Sequence, residues 1–193
     1  MEPRVFPIYP PSSALFAKIL VIIFLVNCFF FALLSLGLYA LLDPNGMVAR
    51  VAAPVALICS LLIMLFIFFS VFIWFWLSAN RTDFGLIETH LVIRNNAHGR
   101  HFAYAELKAD EARIVDLETE PEYRPGKKIF AIKAFFFSGG AFYLRNGLKA
   151  HVFITSMARA VLIPTTGAHT LVLEPQDPEG FLQELQQRTT AEG

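Results

Sequence analysis

The sequence predicts a membrane-embedded α-helical hairpin followed by a β-rich domain that one C-terminal helix closes. Three observations predict it: two long apolar runs without a charge, polar and apolar residues that alternate from Asn80 onward, and an amphipathic segment at the C terminus. They divide the chain into an N-terminal tail (1–18), a two-helix transmembrane hairpin (19–79) and a soluble domain (80–193).

Both apolar runs are long enough to cross a bilayer. The chain is 55% hydrophobic with a mean hydropathy of +0.53, and the excess lies in Ile19–Leu42 and Val51–Ala79. At about 1.5 Å per residue these helices reach about 36 and 43 Å, against a hydrocarbon core of about 30 Å. Buried helices of soluble proteins rarely run so long without a polar face. A cleaved signal peptide competes as an interpretation of the first run, but that run is longer than usual and no small-x-small site precedes Asp43.

Charges around the hairpin predict its orientation. The connection DPNGMVAR is short and joins adjacent antiparallel helices, and it carries Arg50 beside Asp43. Five bases flank the helices on the other side: Arg4, Lys18, Arg81, Arg94 and Arg100. The positive-inside rule therefore places both termini and the C-terminal domain in the cytoplasm. A domain outside the cytoplasm is the alternative topology.

A few residues inside the apolar runs are candidates for helix packing. Ala52, Ala56 and Ser60 recur every four residues on one side of the second helix, where small side chains allow close approach. They are expected to pack on the first helix or on another copy. Asn27 is the one strongly polar side chain at depth and is expected to form a hydrogen bond across the helix pair. The runs hold no ionisable group, which argues against a pump or transporter.

The C-terminal part predicts about seven short antiparallel strands and one helix. Asp177 is a good N-cap residue, Pro178 suits the first helical position, and Phe181, Leu182 and Leu185 form one apolar stripe. Alternating runs between turn residues give the predicted strands: 86–94, 100–104, 113–117, 141–144, 149–155, 160–164 and 169–174.

The C-terminal motifs resemble a known family. They are RNG-x-KA-x-VFIT (145–155), VLIPT (161–165) and LVLEP-x-DPE-x-FL (171–182). With the two preceding helices, they are similar to bacterial pleckstrin-homology-like (PH-like) membrane proteins. That resemblance implies a PH-like barrel and a membrane location more than it implies an activity.

No residue pattern predicts catalysis, a metal or a cofactor. The cysteines, Cys28 and Cys59, both lie in the apolar runs. Gly139-Gly140 lacks the lysine and helix of a phosphate loop. His98 and His101 have an H-x-x-H spacing, but on a strand or turn that spacing does not converge on a metal, and no cysteine lies in this domain to join them. No nucleophile–base pair is evident, and we expect a non-enzymatic protein with no nucleic-acid partner.

Charge is segregated along the soluble domain. No acid occurs between Tyr123 and Leu173, whereas seven acids occur between Glu106 and Glu122. Within the acid-free stretch, RPGKKIFAIKAFFF (124–137) interleaves bases with Ile129, Phe130, Ile132 and three phenylalanines. The candidate binding residues are Arg124, Lys127, Lys128, Lys133, Phe135, Phe136 and Phe137. They are expected to contact anionic lipid at the inner leaflet, to fill the core of the barrel, or to meet a protein partner such as the acidic strip of another copy.

The sequence therefore predicts a membrane-anchored binding or scaffold module of a bacterial cytoplasmic membrane, which crosses the membrane more than once. Its partners would be membrane lipids, a protein or a second copy. The alternative is an accessory subunit of a larger membrane complex, assembled through the hairpin.

Overall fold

The computed structural model describes residues 2–41, 47–94, 99–134 and 137–192. The chain divides into two compact units. One, the helical unit, is Ser12–Trp76. The other, the sheet domain, combines Met1–Pro11 with Leu77–Gly193, so residues from before the first helix belong to the same unit as those after the second.

The helical unit contains α1 (Ser13–Leu41) and most of α2 (Met47–Asn80). The ring of Phe16, near the start of α1, stacks on Phe72, near the end of α2, with centroids 4.7 Å apart. The helices are therefore antiparallel neighbours. Ser13–Leu33 and Leu57–Trp74 have mean hydropathies of 2.6 and 2.8, and only 6% of each is buried. Both are long and apolar enough to cross a membrane, and neither is enclosed as the core helix of a soluble protein would be.

The first sheet of the sheet domain is antiparallel, with the order β1-β2-β3-β4. Its strands are β1 (Arg4–Pro7), β2 (Asp83–Leu86), β3 (His90–Arg94) and β4 (Arg100–Ala103). The segment that the sequence presents as an N-terminal tail thus supplies an edge strand, in which Phe6 pairs with Phe84.

The second sheet has the order β5-β9-β10-β8-β7-β6. Its strands are β5 (Arg113–Asp116), β6 (Pro125–Ala134), β7 (Phe137–Leu144), β8 (Lys149–Ile154), β9 (Arg159–Ile163) and β10 (Thr170–Leu173). Neighbours are antiparallel except β8 and β10, which run parallel with Val152 beside Val172.

One face of the second sheet closes around a hydrophobic core. Val115 from edge strand β5 and the half-buried Ala131 from the opposite edge strand β6 belong to the same cluster as Phe142 and Val152. The two edges also come close together at one end, because Arg124, which directly precedes β6, donates to the carbonyl oxygen of Leu117, which directly follows β5. Opposite edges of a six-stranded sheet approach each other only if the sheet curls strongly, as in a barrel.

The C-terminal helix α3 (Pro178–Glu192) packs against strands of both sheets, β5 and β9 of the second and β1 and β2 of the first. Asp177 caps it, because its Oδ1 accepts a hydrogen bond from the Gly180 N–H at 3.0 Å. The ring of Phe181 is fully buried and meets Phe6 edge-on at 5.3 Å between centroids. Arg188, 4% exposed, bonds Glu184 Oε1 at 2.7 Å and the carbonyl oxygen of Glu2 at 2.7 Å. The two ends of the chain are thus held together.

Two predictions about the strands are wrong. The described residues form ten strands in two sheets rather than about seven, and one of the pairings is parallel. The additional strands are β1, β6 and a separate β2, since the single strand expected over 86–94 is interrupted by a turn in which the Ile87 N–H bonds the His90 carbonyl oxygen at 3.1 Å.

Candidate binding surface

Edge strand β6 is bent by two irregularities in its pairing with β7. The register shifts between Pro125 and Lys128 and again between Lys128 and Phe130. Gly140, which pairs with Ala131 just after the second shift, has a φ of +118°, and a Cβ there would lie 2.5 Å from the carbonyl oxygen of Phe130. Only glycine fits this close approach of the two backbones. The bend is strong enough for Lys133 Nζ to donate to the carbonyl oxygen of Pro125, 3.2 Å away and eight residues earlier in the strand.

The structure does not bring all the predicted binding residues to one place. Lys127 and Lys128 are exposed. Arg124 is half-buried, and its guanidinium donates to the backbone carbonyl oxygens of Leu117 and Glu118, so it closes the barrel. Phe137 is only 3% exposed, so this ring belongs to the core, which was one of the alternatives for the phenylalanines. Phe135 and Phe136 lie outside the described residues.

Exposed apolar side chains lie beside the two lysines. Ile129 is 47% exposed and Phe130 is 69% exposed. Across the sheet, Tyr143 pairs with Lys149, whose Nζ lies 5.9 Å from the centroid of the tyrosine ring. These exposed residues lie at the same end of three neighbouring strands, since Lys128 of β6 pairs with Phe142 of β7 and Tyr143 of β7 pairs with Lys149 of β8. On this basis we call the group the basic–aromatic surface: Lys127, Lys128, Ile129, Phe130, Tyr143 and Lys149. The Arg-Asn-Gly turn that joins β7 to β8 sets the Tyr143–Lys149 pairing, and this turn was the signal from which those two residues could have been found.

Register places this surface at one end of β8. Lys128 pairs with Phe142, and Phe142 pairs with Ala150 near the start of β8. The segments that connect the sheet domain to α1 and α2 lie at the other end of β8. Thr155, just after β8, donates its hydroxyl to the carbonyl oxygen of Tyr9, which precedes α1, at 2.6 Å. The neighbouring Ile8 is hydrogen-bonded to Thr82, which follows α2. The basic–aromatic surface and the connections to the two helices are therefore separated by the length of β8.

The seven acids between Glu106 and Glu122 form the acidic strip, and neighbouring bases neutralise part of its negative charge. Both carboxylate oxygens of Glu120 accept hydrogen bonds from Arg113, at 2.8 and 3.2 Å, and this pairing lowers the pKa of Glu120. Lys108 bonds Glu111 at 2.9 Å. These local pairs reduce the charge that the strip offers to the basic stretch of another copy, which weakens the case for self-association through opposite charges.

Asn27 and Ser60, two of the residues predicted to pack between the apolar helices, form hydrogen bonds within their own helices. Asn27 is 9% exposed, and its Nδ2 donates to the carbonyl oxygen of Ile23, 2.8 Å away in its own helix rather than across the pair. Ser60 is exposed, and its hydroxyl likewise bonds Leu57 in the same helix at 2.9 Å. The side chains of Ala52 and Ala56 lie outside the described part of the chain.

A buried histidine lies between the two sheets. His151 is 7% exposed, stacks on His169 at 5.0 Å and lies 5.8 Å from the ring of Phe102. Burial, with smaller contributions from the positive charge of Arg100 and from His169, lowers the pKa of His151 to about 4. The folded domain therefore holds this imidazole neutral at pH values where an exposed histidine is charged.

We expect acid to weaken the fold through His151. Between pH 6.5 and about 4 the unfolded chain binds a proton that the folded histidine does not, so stability falls as pH falls through this window. The loss should reach about 3 kcal/mol by pH 4, and about 2 kcal/mol of it should be present at pH 5. Urea unfolding at pH 7 and pH 5 measures the latter. His151→Gln should flatten this pH dependence and the exposed His101→Gln should leave it intact; an unchanged dependence in His151→Gln would assign the effect to other groups.

The described residues offer no metal centre, since they contain no group of three or more His, Cys, Asp or Glu side chains placed to hold an ion. The basic–aromatic surface combines cationic side chains, which attract anionic groups, with exposed apolar and aromatic ones.

Comparison with known families agrees with the fold. A model of the family described as "Bacterial PH domain" matches residues 88–189. The chain belongs to the bacterial PH domain family. This confirms the resemblance carried by the C-terminal motifs, with two apolar helices preceding a sheet-rich domain. No curated protein and no solved structure matches the chain.

The bacterial PH domain here starts earlier in the chain than the family match does. Residues 88–189 include β3 to β10 and most of α3. Strands β1 and β2 complete the first sheet from outside that range. PH domains are generally binding modules without catalytic activity, and the family therefore supports a binding or scaffold role.

Proposed function

We propose that this protein is a membrane-anchored, non-enzymatic binding module of a bacterial cytoplasmic membrane. In this proposal α1 and α2 cross the bilayer as a pair, the PH domain lies in the cytoplasm, and its basic–aromatic surface captures an acidic segment of a protein partner. The observation that carries the proposal is that surface, which groups exposed bases with Ile129 and Phe130 in a stretch without acids.

The N-terminal strand supports crossing as a pair. Strands β1 and β2 are hydrogen-bonded neighbours, yet α1 and α2 lie between them in the chain. Two strands of one sheet must be on the same side of a membrane, so the segment between them crosses an even number of times. Phe6 and Ile8, which precede α1, are 5% and 3% exposed in the PH domain. Their burial argues that the first helix is retained and not cleaved as a signal peptide. The positive-inside bias then favours the cytoplasmic side.

The position of the surface favours a protein over the bilayer. Lys127, Lys128 and Lys149 lie near the start of β8, whereas the connections to α1 and α2 leave beyond its end. A six-residue strand is about 17 Å long, which is more than a Debye length of about 8 Å at physiological salt. A surface displaced in this way from the membrane connections is better placed for a partner in the cytoplasm than for headgroups of the same bilayer.

Charge reversal on the surface should weaken the capture of an acidic probe. Full-length protein in nanodiscs of zwitterionic lipid is tested with a fluorescent peptide that alternates glutamate with leucine and tryptophan. Lys127→Glu/Lys128→Glu should weaken binding at least about tenfold, since two attractive charges become repulsive. Phe130→Ser should weaken it about threefold or more by removing an exposed ring.

Lys108→Glu is the matched control, because Lys108 is exposed but lies outside the surface; it should bind like the original protein. Anionic vesicles added in place of the peptide distinguish the lipid interpretation. Salt-sensitive vesicle binding without peptide binding would overturn the protein partner, and equal binding by all variants would overturn the surface itself.

Sizing after gentle detergent extraction separates a transient binding module from a permanent subunit. The binding module should migrate as a monomer or small oligomer of this chain. A stable co-purifying complex that survives Lys127→Glu/Lys128→Glu would favour the accessory-subunit alternative, in which α1 and α2 make the contacts.

A further inference from the structure

Both chain connections leave the PH domain side by side. The Ile8 N–H donates to the carbonyl oxygen of Thr82 at 3.1 Å, so the segment that leads to α1 is hydrogen-bonded to the segment that comes from α2. The next residue, Tyr9, donates its N–H to the carbonyl oxygen of Glu174 at 2.9 Å. The last residues that the sheet domain holds by hydrogen bonds before α1 and the first that it holds after α2 are therefore adjacent in space.

The connections are also short. Only residues 10–12 separate Tyr9 from the first residue of α1, and only Arg81 separates the end of α2 from Thr82. Because a residue extends at most about 3.6 Å, the first gap spans at most about 14 Å. Two of its three residues are prolines, which restrict the backbone further. If α1 and α2 span the bilayer, this end of the domain stays within that distance of the helix ends.

The same end presents exposed apolar and basic side chains. The turn after β8 is fastened to it through the Thr155 hydroxyl, which bonds the Tyr9 carbonyl oxygen at 2.6 Å. Met157 in that turn is 37% exposed, Tyr9 is 47% exposed, and Arg81 is exposed. Tyrosine favours the membrane–water interface, and arginine pairs with lipid phosphates.

We infer that Tyr9, Met157 and Arg81 form a membrane-facing end of the PH domain, which rests on the lipid headgroups. This inference rests on the proposed spanning of α1 and α2 and adds which part of the domain the lipid touches. The contact combines apolar insertion with charge, so it forms on zwitterionic as well as anionic lipid and is distinct from the basic–aromatic surface at the start of β8.

Leu148 and Met157 provide a matched pair for a test. Both are exposed apolar turn residues, and they flank the two ends of β8: Leu148 precedes Lys149 and Met157 follows Ile154. In a full-length background with Cys28→Ala and Cys59→Ala, Met157→Cys and Leu148→Cys are labelled with a fluorophore and reconstituted into vesicles. Lipid with a nitroxide on its headgroup then quenches a fluorophore that touches the interface. The quencher occupies both leaflets, so the orientation of insertion does not matter.

We expect quenching at residue 157 to exceed that at residue 148 at least about threefold, in both zwitterionic and anionic vesicles. Tyr9→Cys, as a second position, should follow residue 157. Equal quenching at 148 and 157, or stronger quenching at 148, would overturn the membrane-facing end while leaving the spanning helices intact. Failure of the protein to float with the vesicles would instead overturn the proposed spanning and the inference with it.

Discussion

Phe6→Ala should destabilise the PH domain by about 3–5 kcal/mol, although residue 6 lies before the first apolar helix and far in sequence from the domain's other strands. The ring is 5% exposed and packs edge-on against Phe181 at 5.3 Å. Its removal leaves a cavity between β1, β2 and α3. Since domains are typically stable by 5–15 kcal/mol, this loss is a large fraction of the total. Pulse proteolysis in urea on the detergent-solubilised protein measures it.

Val5→Ala is the control for that experiment. Val5 lies in the same strand and pairs with Gly85, but its side chain is 48% exposed. Its replacement should cost no more than about 0.5 kcal/mol. Similar effects of the two substitutions would mean that β1 does not pack in the sheet domain. The burial of β1 would then no longer support an even number of membrane crossings between β1 and β2.

Glu174→Ala should cost about 3–4 kcal/mol, the second largest effect that we expect. Glu174 is 2% exposed, and its Oε2 accepts hydrogen bonds from the backbone N–H of Thr155 at 2.6 Å and of Ser156 at 2.8 Å. The hydroxyl of Ser156 bonds the other oxygen. Burial raises the pKa of Glu174, and these donors oppose that rise. Without the carboxylate, these half-buried donors lose their acceptor, and a fully buried donor left unpaired costs about 1–3 kcal/mol.

Glu174→Gln distinguishes the loss of acceptors from the loss of charge, because its amide oxygen still accepts from the two N–H groups. It should cost about 1 kcal/mol. Glu179→Ala, which removes an exposed partner of Arg159, should have almost no effect. If Glu174→Ala is as mild as Glu179→Ala, the buried carboxylate does not hold the turn after β8 to the end of β10.

Some elements could be predicted because their signals are local. The charge-free runs gave both apolar helices, and Asp177 with Pro178 gave the start of α3. Strands β8, β9 and β10 follow the alternation and turn residues of the C-terminal motifs, within about one residue of the predicted bounds.

Other elements depend on partners that are distant in sequence. Strand β1 has only four residues, and its partner β2 begins at Asp83, beyond two long helices. Strand β6 breaks the strict alternation that marks a strand, because two register shifts interrupt it. The parallel pairing of β8 and β10 arises because β10 lies between β9 and β8 in the sheet, a placement that no local sequence pattern reports.

The candidate surface could be predicted only in part, because it too depends on strand pairings that are distant in sequence. Composition identified Lys127 and Lys128, which are exposed, but it could not separate them from Arg124 and Phe137, which close and fill the barrel. The direction in which a strand residue faces depends on register, and the shifts in β6 move it. Tyr143 and Lys149 join the surface only through the pairing of β7 with β8.

The side of the membrane on which each segment lies can be measured by cysteine labelling. In a background without Cys28 and Cys59, single cysteines at Val5, Asn45 and Met157 are exposed to a membrane-impermeant thiol reagent in intact bacterial spheroplasts. We predict labelling of Asn45→Cys from outside, and labelling of Val5→Cys and Met157→Cys only after lysis. Labelling of positions 5 and 157 on opposite sides, or of either from outside, would contradict a cytoplasmic PH domain whose first strand precedes a membrane-spanning helix pair.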